Sequence, residues 1–348
     1  MVLDDEEKIM EELTSIFEYA DKKYNSGIFN GENIIFDLSN DIIMSMIKKL
    51  YYPQSPYMFN TIEANLLGEI YEMFLAEELV LINGQIRLKK KEENENRDIV
   101  TTPTKIVKYM VEDTLKPICK DKSPEEILEL NIADISCGSG IFLLEIFDYL
   151  TKCCMNWYID NNSEVLIEEG NKYKMPFKKK KEILSSCIYG VDIDAHAVEV
   201  AQFSLLLKLL ENETEPSLKN KEMILPELKD NIKIGNSLID FDHIEYYERY
   251  YDEISREDKN KIVPFDWGFA NDVSEFDVLI GNPPYVTTEG LNNIIPSQEL
   301  KVYNKKYESS HRQFDKYFLF IERSLNKLSD DGVMCYIVPP KFSKIVSG

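Results

Sequence analysis

The sequence predicts an α/β fold, a doubly wound and mostly parallel sheet, with a helical N-terminal region at residues 1–95 and a catalytic domain at 96–348. Three observations carry this. Apolar strand-like runs alternate with helix-like segments through the second half of the chain, which implies parallel strands joined by helical crossovers. In the first region Ile62, Leu66, Leu67, Ile70, Tyr71, Phe74, Leu75 and Leu79 recur at helical spacing and form one apolar stripe. Finally, every chemically unusual residue lies just past a strand-like run, where ligands sit in such sheets.

The elements follow in order. The segment "KKKEENENRD" (89–98) is charged, has no apolar anchor and reads as an exposed linker. Next, "TTPTKIVKYMVEDTL" carries a helix start, with Thr102 as N-cap and Pro103 at the first helical position, followed by Ile106, Val107, Met110 and Val111. "NIADIS" (131–136) is a strand, "CGSG" a turn and "IFLLEIFDYLTKCCMNWYI" a helix. "CIYGVDID" (187–194) is a second strand before the helix "AHAVEVAQFSLLLKLL". "NIKIGNS" (231–237) is the third, "FDVLIGN" the fourth, and "GVMCYIVPP" (332–340) the fifth, after the helix "FDKYFLFIERSLNKL". Three polar stretches, 172–181, 211–227 and the acidic, tyrosine-rich 240–263, read as insertions on a smaller fold. The lysine run Lys178 to Lys181 reads as a solvated loop and not as a DNA-binding patch.

At 348 residues the chain is long enough for a large core, and 44% hydrophobic with 29% charged residues is a globular composition. The acidic start "MVLDDEEKIMEELTSIF" is neither a signal nor a transit peptide, and no apolar run reaches membrane-spanning length, so a soluble cytoplasmic protein is expected, with no membrane partner. Cys119, Cys137, Cys153, Cys154, Cys187 and Cys335 form no C-x-x-C pair, and His196, His243 and His311 are scattered. This argues against a zinc site and fits reduced thiols, most of them small buried hydrophobes. A formal net charge of −22 excludes a protein that grips phosphates over its whole surface. Any nucleic-acid contact must be local or supplied from outside this chain.

The strand ends carry the chemistry. The first runs Asp134-Ile135-Ser136-Cys137-Gly138-Ser139-Gly140, where glycines let backbone approach a ligand and the following helix offers free N–H groups. Gly-x-Gly alone is a weak signal, and Leu143 stands where a dinucleotide fingerprint has its third glycine. Asp134 would repel a pyrophosphate and suits a cationic ligand, one with an ammonium and a sulfonium. The second strand ends Gly190-Val191-Asp192-Ile193-Asp194; a carboxylate there accepts both hydroxyls of a ribose, while Asp194 is better placed to cap the next helix. Asn236, at the end of the third, has an amide suited to an adenine edge. The fourth ends Asn282-Pro283-Pro284-Tyr285. The amine of a purine is a poor nucleophile, because its lone pair is conjugated with the ring. Two acceptors, the Asn282 amide oxygen and the Pro283 carbonyl, hold its two hydrogens and localise that lone pair, and Tyr285 stacks on the ring.

Taken together these segments resemble the amino methyltransferases that use S-adenosylmethionine, and among them the adenine-N6 DNA methyltransferases of γ motif order. The resemblance runs from about Thr101 to Phe342. "TTPTKIVKYMV" resembles the family's Thr-Pro segment at the methionine end of the cofactor. "DISCGSGIFLLE" is similar to its glycine loop, and "GVDID", "GNSL" and "FDVLIGNPPYV" to its ribose, adenine and catalytic segments. The Phe265-Asp266-Trp267 stretch, "FDKYFLFIERSLNKLSDDGVMCYIVPPKF" and "LGEIYEMFL" (67–75) resemble the methylase part of single-chain type II restriction–modification enzymes.

The resemblance implies a Rossmann-like methyltransferase fold and methylation of adenine N6 in double-stranded DNA, by base flipping and direct in-line transfer, in a restriction–modification or related defence system. It implies Thr102, Asp134, Cys137, Gly138, Gly140, Asp192, Ile193 and Asn236 as residues binding S-adenosylmethionine, and Asn282 to Tyr285 as the catalytic segment. Lys301, Lys305, Lys306, His311 and Arg312, with Tyr303 and Tyr307 interleaved, follow the catalytic loop as a local phosphate-contacting stretch or a solvated loop. Two departures stand out. Relatives carry two tyrosines before Thr-Pro, where this chain has Asp98 to Thr101. No sequence after Gly348 supplies the family's last strands, second stacking aromatic or target-recognition domain, so a fragment of a longer protein, or a subunit completed by a partner, is expected. Methylation of a protein glutamine or of another nucleobase amine, and a non-catalytic scaffold that only binds the cofactor, are the competing readings.

Overall fold

A computed structural model describes residues 9–24, 34–51, 53–55, 66, 68, 70, 71, 77–82, 85–90, 102–214, 218, 224–240, 262–269 and 273–340. Near the N-terminus α1 (Ile9–Tyr24) and α2 (Asn40–Leu50) pack through Ile9, Leu13, Ile43 and Met44. The helical reading does not hold to residue 95. Strands β1 (Glu77–Ile82) and β2 (Gln85–Lys90) form an antiparallel hairpin with Ile82 opposite Gln85. The signal for it was Asn83-Gly84 between two alternating runs, the strongest short hairpin marker. Leu79, at the end of the helical stripe expected from sequence, belongs to β1. Of that stripe, Leu66, Ile70 and Tyr71 are helical, while Ile62, Leu67, Phe74 and Leu75 lie outside the described residues.

Helix α3 (Thr104–Cys119) leads into the sheet. Its cap is Pro103, one residue later than expected, which leaves Thr102 outside the helix. Then come β3 (Ile132–Asp134), α4 (Ile141–Asn161), α5 (Phe177–Cys187), β4 (Ile188–Asp192), α6 (Ala195–Leu210), β5 (Ile232–Ile234), β6 (Asn236–Asp240) and β7 (Pro264–Phe265). The chain continues through β8 (Phe276–Gly281), α7 (Thr288–Ile294), α8 (Ser297–Lys306), α9 (Lys316–Leu325) and β9 (Leu328–Tyr336). Five strands pair in parallel in the order β9-β8-β3-β4-β5. The chain runs outward from β3 to β5 on one side and then returns to β8 and β9 on the other. The order therefore reverses between β3 and β8, where open α/β sheets bind their ligands.

Both faces of the sheet are covered, so its strands are apolar on both sides. On β8, Val278 and Ile280 join the core under α3, α4, α5 and α6, while Phe276 and Leu279 join a second core on the opposite face. That second core is aromatic. Phe265, Trp267, Phe269, Phe276 and Tyr189 meet edge to face, with the Arg323 guanidinium 4.6 Å above the Trp267 ring. The Phe265-Asp266-Trp267 segment thus buttresses the strand that carries Asn282, each such ring pair contributing about 1 kcal/mol beyond its area.

The lysine run is helical, not a loop. It lies in α5, and Lys180 is buried, with Nζ 2.6 Å from the Glu213 carboxylate and donating to the Leu209 and Glu211 carbonyls at 3.0 and 3.3 Å. Lys174 reaches the same carboxylate at 3.1 Å. Two ammonium groups therefore satisfy the open carbonyls at the end of α6. The acidic stretch after Asp240 lies outside the described residues up to Ile262.

Candidate active site

The site begins with the turn after β3. Gly138 and Gly140 take φ of +51° and +89°, left-handed conformations that a side chain resists. Gly140 caps α4, and the space beside Gly138 is open. The loop is pinned from the next strand: Gly138 N donates to Asp192 Oδ2 at 2.8 Å, and Cys137 N to the Val191 carbonyl at 3.0 Å. Asp192 Oδ1 accepts the Asp194 N–H at 2.9 Å. Burial raises the Asp192 pKa, and these two N–H groups pull it back. Each carboxylate oxygen keeps a lone pair for a ribose hydroxyl. Asp194 caps α6 by accepting from His196 N and Ala197 N, as its position predicted, and Ile193 beside it exposes an apolar side chain. The Cys137 thiol is 5% exposed and packs toward Gly190, so only its backbone faces the loop.

Asp134 is buried at the end of β3, its Oδ1 accepting the Ser136 N–H at 2.9 Å. Burial, opposed by Ser136 and reinforced by the Asp192 charge, raises its pKa to about 7. On the neighbouring strand Gly281 lies directly beneath this carboxyl; a Cβ built there would stand 2.5 Å from Asp134 Oδ1. The buried Asp134 and the start of the Asn-Pro-Pro-Tyr segment thus meet at the point where the strand order reverses. Gly281→Ala is expected to push the two apart, costing about 1–3 kcal/mol of stability and weakening cofactor binding. Thermal unfolding and titration calorimetry check this, and wild-type values in both would contradict the packing.

Asn282 is held at both ends of its amide. Its Nδ2 donates to Thr102 Oγ1 at 3.0 Å, and its Oδ1 accepts from the Tyr285 hydroxyl. That hydroxyl also lies 2.8 Å from the Ile337 carbonyl, and the Tyr285 ring meets Tyr317 edge-on at 5.9 Å. Burial pushes the Tyr285 phenol up to about 12, so it stays a donor. In this arrangement Tyr285 covers the acceptor that an amine needs. Thr102, expected at the cofactor, accepts from the Asn282 amide in this structure. Pro283 is buried and Pro284 half-buried beside it.

The expectation for Asn236 is corrected. Its side chain is 3% exposed, Nδ2 donating to Glu299 Oε1 at 3.1 Å and to the Tyr303 hydroxyl at 3.3 Å, while Oδ1 accepts from Leu238 N at 3.1 Å. Its hydrogen bonds are spent inside the fold. Glu299 and Tyr303, one turn apart on α8, gave no signal beyond that spacing. Burial raises the Glu299 pKa, and the Lys316 charge opposes this as it does for Asp192. The tyrosines expected among the basic residues are core. Tyr303 is fully buried, and Tyr307 donates to the Leu238 carbonyl at 2.7 Å. Lys306 pairs with Asp240 at 3.2 Å, and burial lowers its pKa to about 8. Lys301, Lys305, His311 and Arg312 remain exposed. Among the described residues no group of His, Cys, Asp and Glu is arranged to hold a metal ion, and no helix is long and apolar enough to cross a membrane.

A five-stranded parallel sheet whose order reverses beside a glycine loop, with an acid on each of the first two strands and Asn-Pro-Pro-Tyr on the fourth, defines the Rossmann-like fold of S-adenosylmethionine-dependent methyltransferases. Within that class, residues 186–348 match the family of the Eco57I restriction-modification methylase, and the chain resembles the methylases of restriction–modification enzymes. It is 43% identical over 347 residues to the type II restriction enzyme and methyltransferase RM.Eco57I of Escherichia coli, covering 99% of this chain and 33% of that protein. It is 26% identical over 272 residues to the putative type II restriction enzyme and methyltransferase RM.MjaORFECS2P of Methanocaldococcus jannaschii, covering 64% of this chain and 21% of that protein. The chain thus spans a third or less of the length of these curated relatives. Among solved structures, a cryo-EM structure of a DrdV–DNA complex shares the fold, with a TM-score of 0.51 at 16% identity over 94% of this chain and 30% of that one.

Proposed function

We propose that the chain is the methyl-transferring part of a restriction–modification enzyme that methylates the N6 amino group of an adenine flipped out of double-stranded DNA. The observation that carries this reading is the placement of Gly281, directly before Asn282, against the buried Asp134, at the ends of the two strands that flank the reversal of strand order. S-adenosylmethionine, when bound, supplies an electrophilic methyl on a sulfonium. The residues fit such a group: Asp134 is a buried carboxyl with no cation paired to it by a described salt bridge, Gly138 borders open space, and Asp192 presents acceptors for a ribose. Asp134 would face the cationic end, the Gly138–Gly140 turn the chain between, and Asp192 with Ile193 the nucleoside.

The protein's own work is electrostatic positioning. Thr102 fixes the Asn282 amide so that Oδ1 faces away from it. An incoming adenine amine replaces the Tyr285 hydroxyl on Oδ1 and gives its second hydrogen to the Pro283 carbonyl, which localises the lone pair. Released, the Tyr285 ring becomes a stacking surface for the extruded base. The exposed Lys301, Lys305, His311 and Arg312 supply local positive charge near this loop in a chain that is acidic as a whole. A target-recognition element outside this chain would choose the sequence, and the division into residues 1–95 and 96–348 separates helper from catalyst only loosely.

The test is to express the chain, and the gene that carries it, in a host free of adenine methylation and to read modified bases by sequencing. N6-methyladenine at one sequence motif is expected. Methylated cytosine, or no modified base from a protein that still binds cofactor, would sink the adenine reading.

A further inference from the structure

The described residues Leu66, Gly68, Ile70 and Tyr71 lie in helical backbone, and Gly68 is buried. A Cβ on Gly68 would stand 2.9 Å from Ser139 Oγ and 3.3 Å from Ser139 Cβ. Ser139, itself 2% exposed, is the residue between Gly138 and Gly140. The N-terminal helical segment therefore rests directly on the glycine loop. That loop is bonded to Asp192 through Gly138 N, so helix, loop and ribose-side acid form one unit. Positions 68 and 71 share a helix face, and Tyr71 projects toward that unit.

The Tyr71 hydroxyl is shielded from solvent and meets no described atom in full hydrogen-bond geometry, while the Asp194 carboxylate that caps α6 lies within its reach. Burial, together with the nearby carboxylates of Asp194, Asp192 and Glu199, holds it protonated and hence a donor. A buried donor gains from a better-aligned acceptor than this, and a ligand hydroxyl held on Asp192 supplies one. A ribose needs both kinds of group. A carboxylate accepts the hydrogens of the two hydroxyls, but it cannot donate to their oxygens.

We propose that Tyr71 is a cofactor-binding residue whose phenol donates to a ribose hydroxyl held by Asp192, so that the N-terminal helical region forms one wall of the cofactor site. This rests on the methyltransferase reading above and extends it to a part of the chain outside the methyltransferase motifs.

The experiment is titration calorimetry on the full chain with S-adenosylhomocysteine and with its 2′-deoxy and 3′-deoxy analogues. Tyr71→Phe is expected to weaken S-adenosylhomocysteine about tenfold, and to leave the affinity for one deoxy analogue unchanged, with the unfolding midpoint of the free protein preserved. Gly68→Ala, which pushes the helix off the loop, should weaken S-adenosylhomocysteine in the same direction. If Tyr71→Phe binds S-adenosylhomocysteine as wild type does, or loses the same factor for all three ligands, the hydroxyl contact is overturned. A wild-type chain that binds none of the three overturns the methyltransferase reading itself, an outcome separate from the loss of Tyr71 alone.

Discussion

Asn282→Ala is expected to lower methyl transfer by at least about 10²–10³-fold, while affinity for S-adenosylhomocysteine stays at the wild-type level. The side chain bonds to Thr102 and Tyr285, and neither of these two contacts supports the glycine loop or Asp192. Its loss removes the acceptor that localises the amine lone pair and leaves the cofactor cradle standing. Asp192→Ala is expected to do the reverse. That carboxylate holds Gly138 N and Asp194 N, so its removal loosens the loop and the ribose side together. Single-turnover transfer to a DNA duplex carrying the recognition sequence, measured beside calorimetric binding, separates the two. Equal loss of cofactor binding in both variants would mean that this division of roles is wrong.

Cofactor affinity is expected to rise with pH up to about 7 and then level off. The Asp134 carboxyl is raised from 3.8 to about 7, chiefly by burial. Between those values the folded chain keeps a proton that the unfolded chain has lost. Stability of the free protein therefore falls as pH rises through that window, and this group adds no slope below or above it. A cationic ligand reverses the preference by favouring the carboxylate. Binding then expels a proton, and affinity gains up to about tenfold per pH unit below the folded pKa. Calorimetry from pH 5.5 to 8.5, in two buffers of different ionisation enthalpy, measures both the affinity and the proton released. Asp134→Asn is expected to bind more weakly at pH 8 and to flatten the profile. A wild-type profile without slope below 7 would show that Asp134 does not meet the cation.

Much of this architecture was legible because its signals are local. Helix α6 spans Ala195–Leu210, the very segment whose apolar spacing and preceding aspartate announced it. Four of the five strands of the sheet fall where apolar runs end in glycine, asparagine or aspartate, and β9 begins at Leu328, four residues before its predicted run. The hairpin at Glu77–Lys90 was equally local, and its Asn83-Gly84 marker was overridden by a helical stripe read one residue too far. The lysine run misled for a different reason. Its charge predicted solvent, whereas Lys180 found Glu213 and the open end of α6 far along the chain.

The site divides along the same line. Tyr303 and Tyr307 are expected from sequence in a phosphate-contacting stretch or a solvated loop, and the fold buries both. Asn236 was read as facing a ligand, yet its amide is claimed by Glu299 and Tyr303, more than sixty positions away. The sequence alone determined the α/β class and the order of strands and helices, and it singled out Asp134, Asp192 and Asn282 as candidates, because periodicity, glycine turns and the Asn-Pro-Pro-Tyr segment are properties of neighbouring residues. Only the tertiary structure decided that Thr102 serves Asn282, that Tyr285 covers its oxygen, that Gly281 makes room for Asp134 and that Gly68 lies on the glycine loop. Those relations join residues that packing alone brings within a few ångströms, and hydrogen bonding and close contact are set by distance in space, not by distance along the chain.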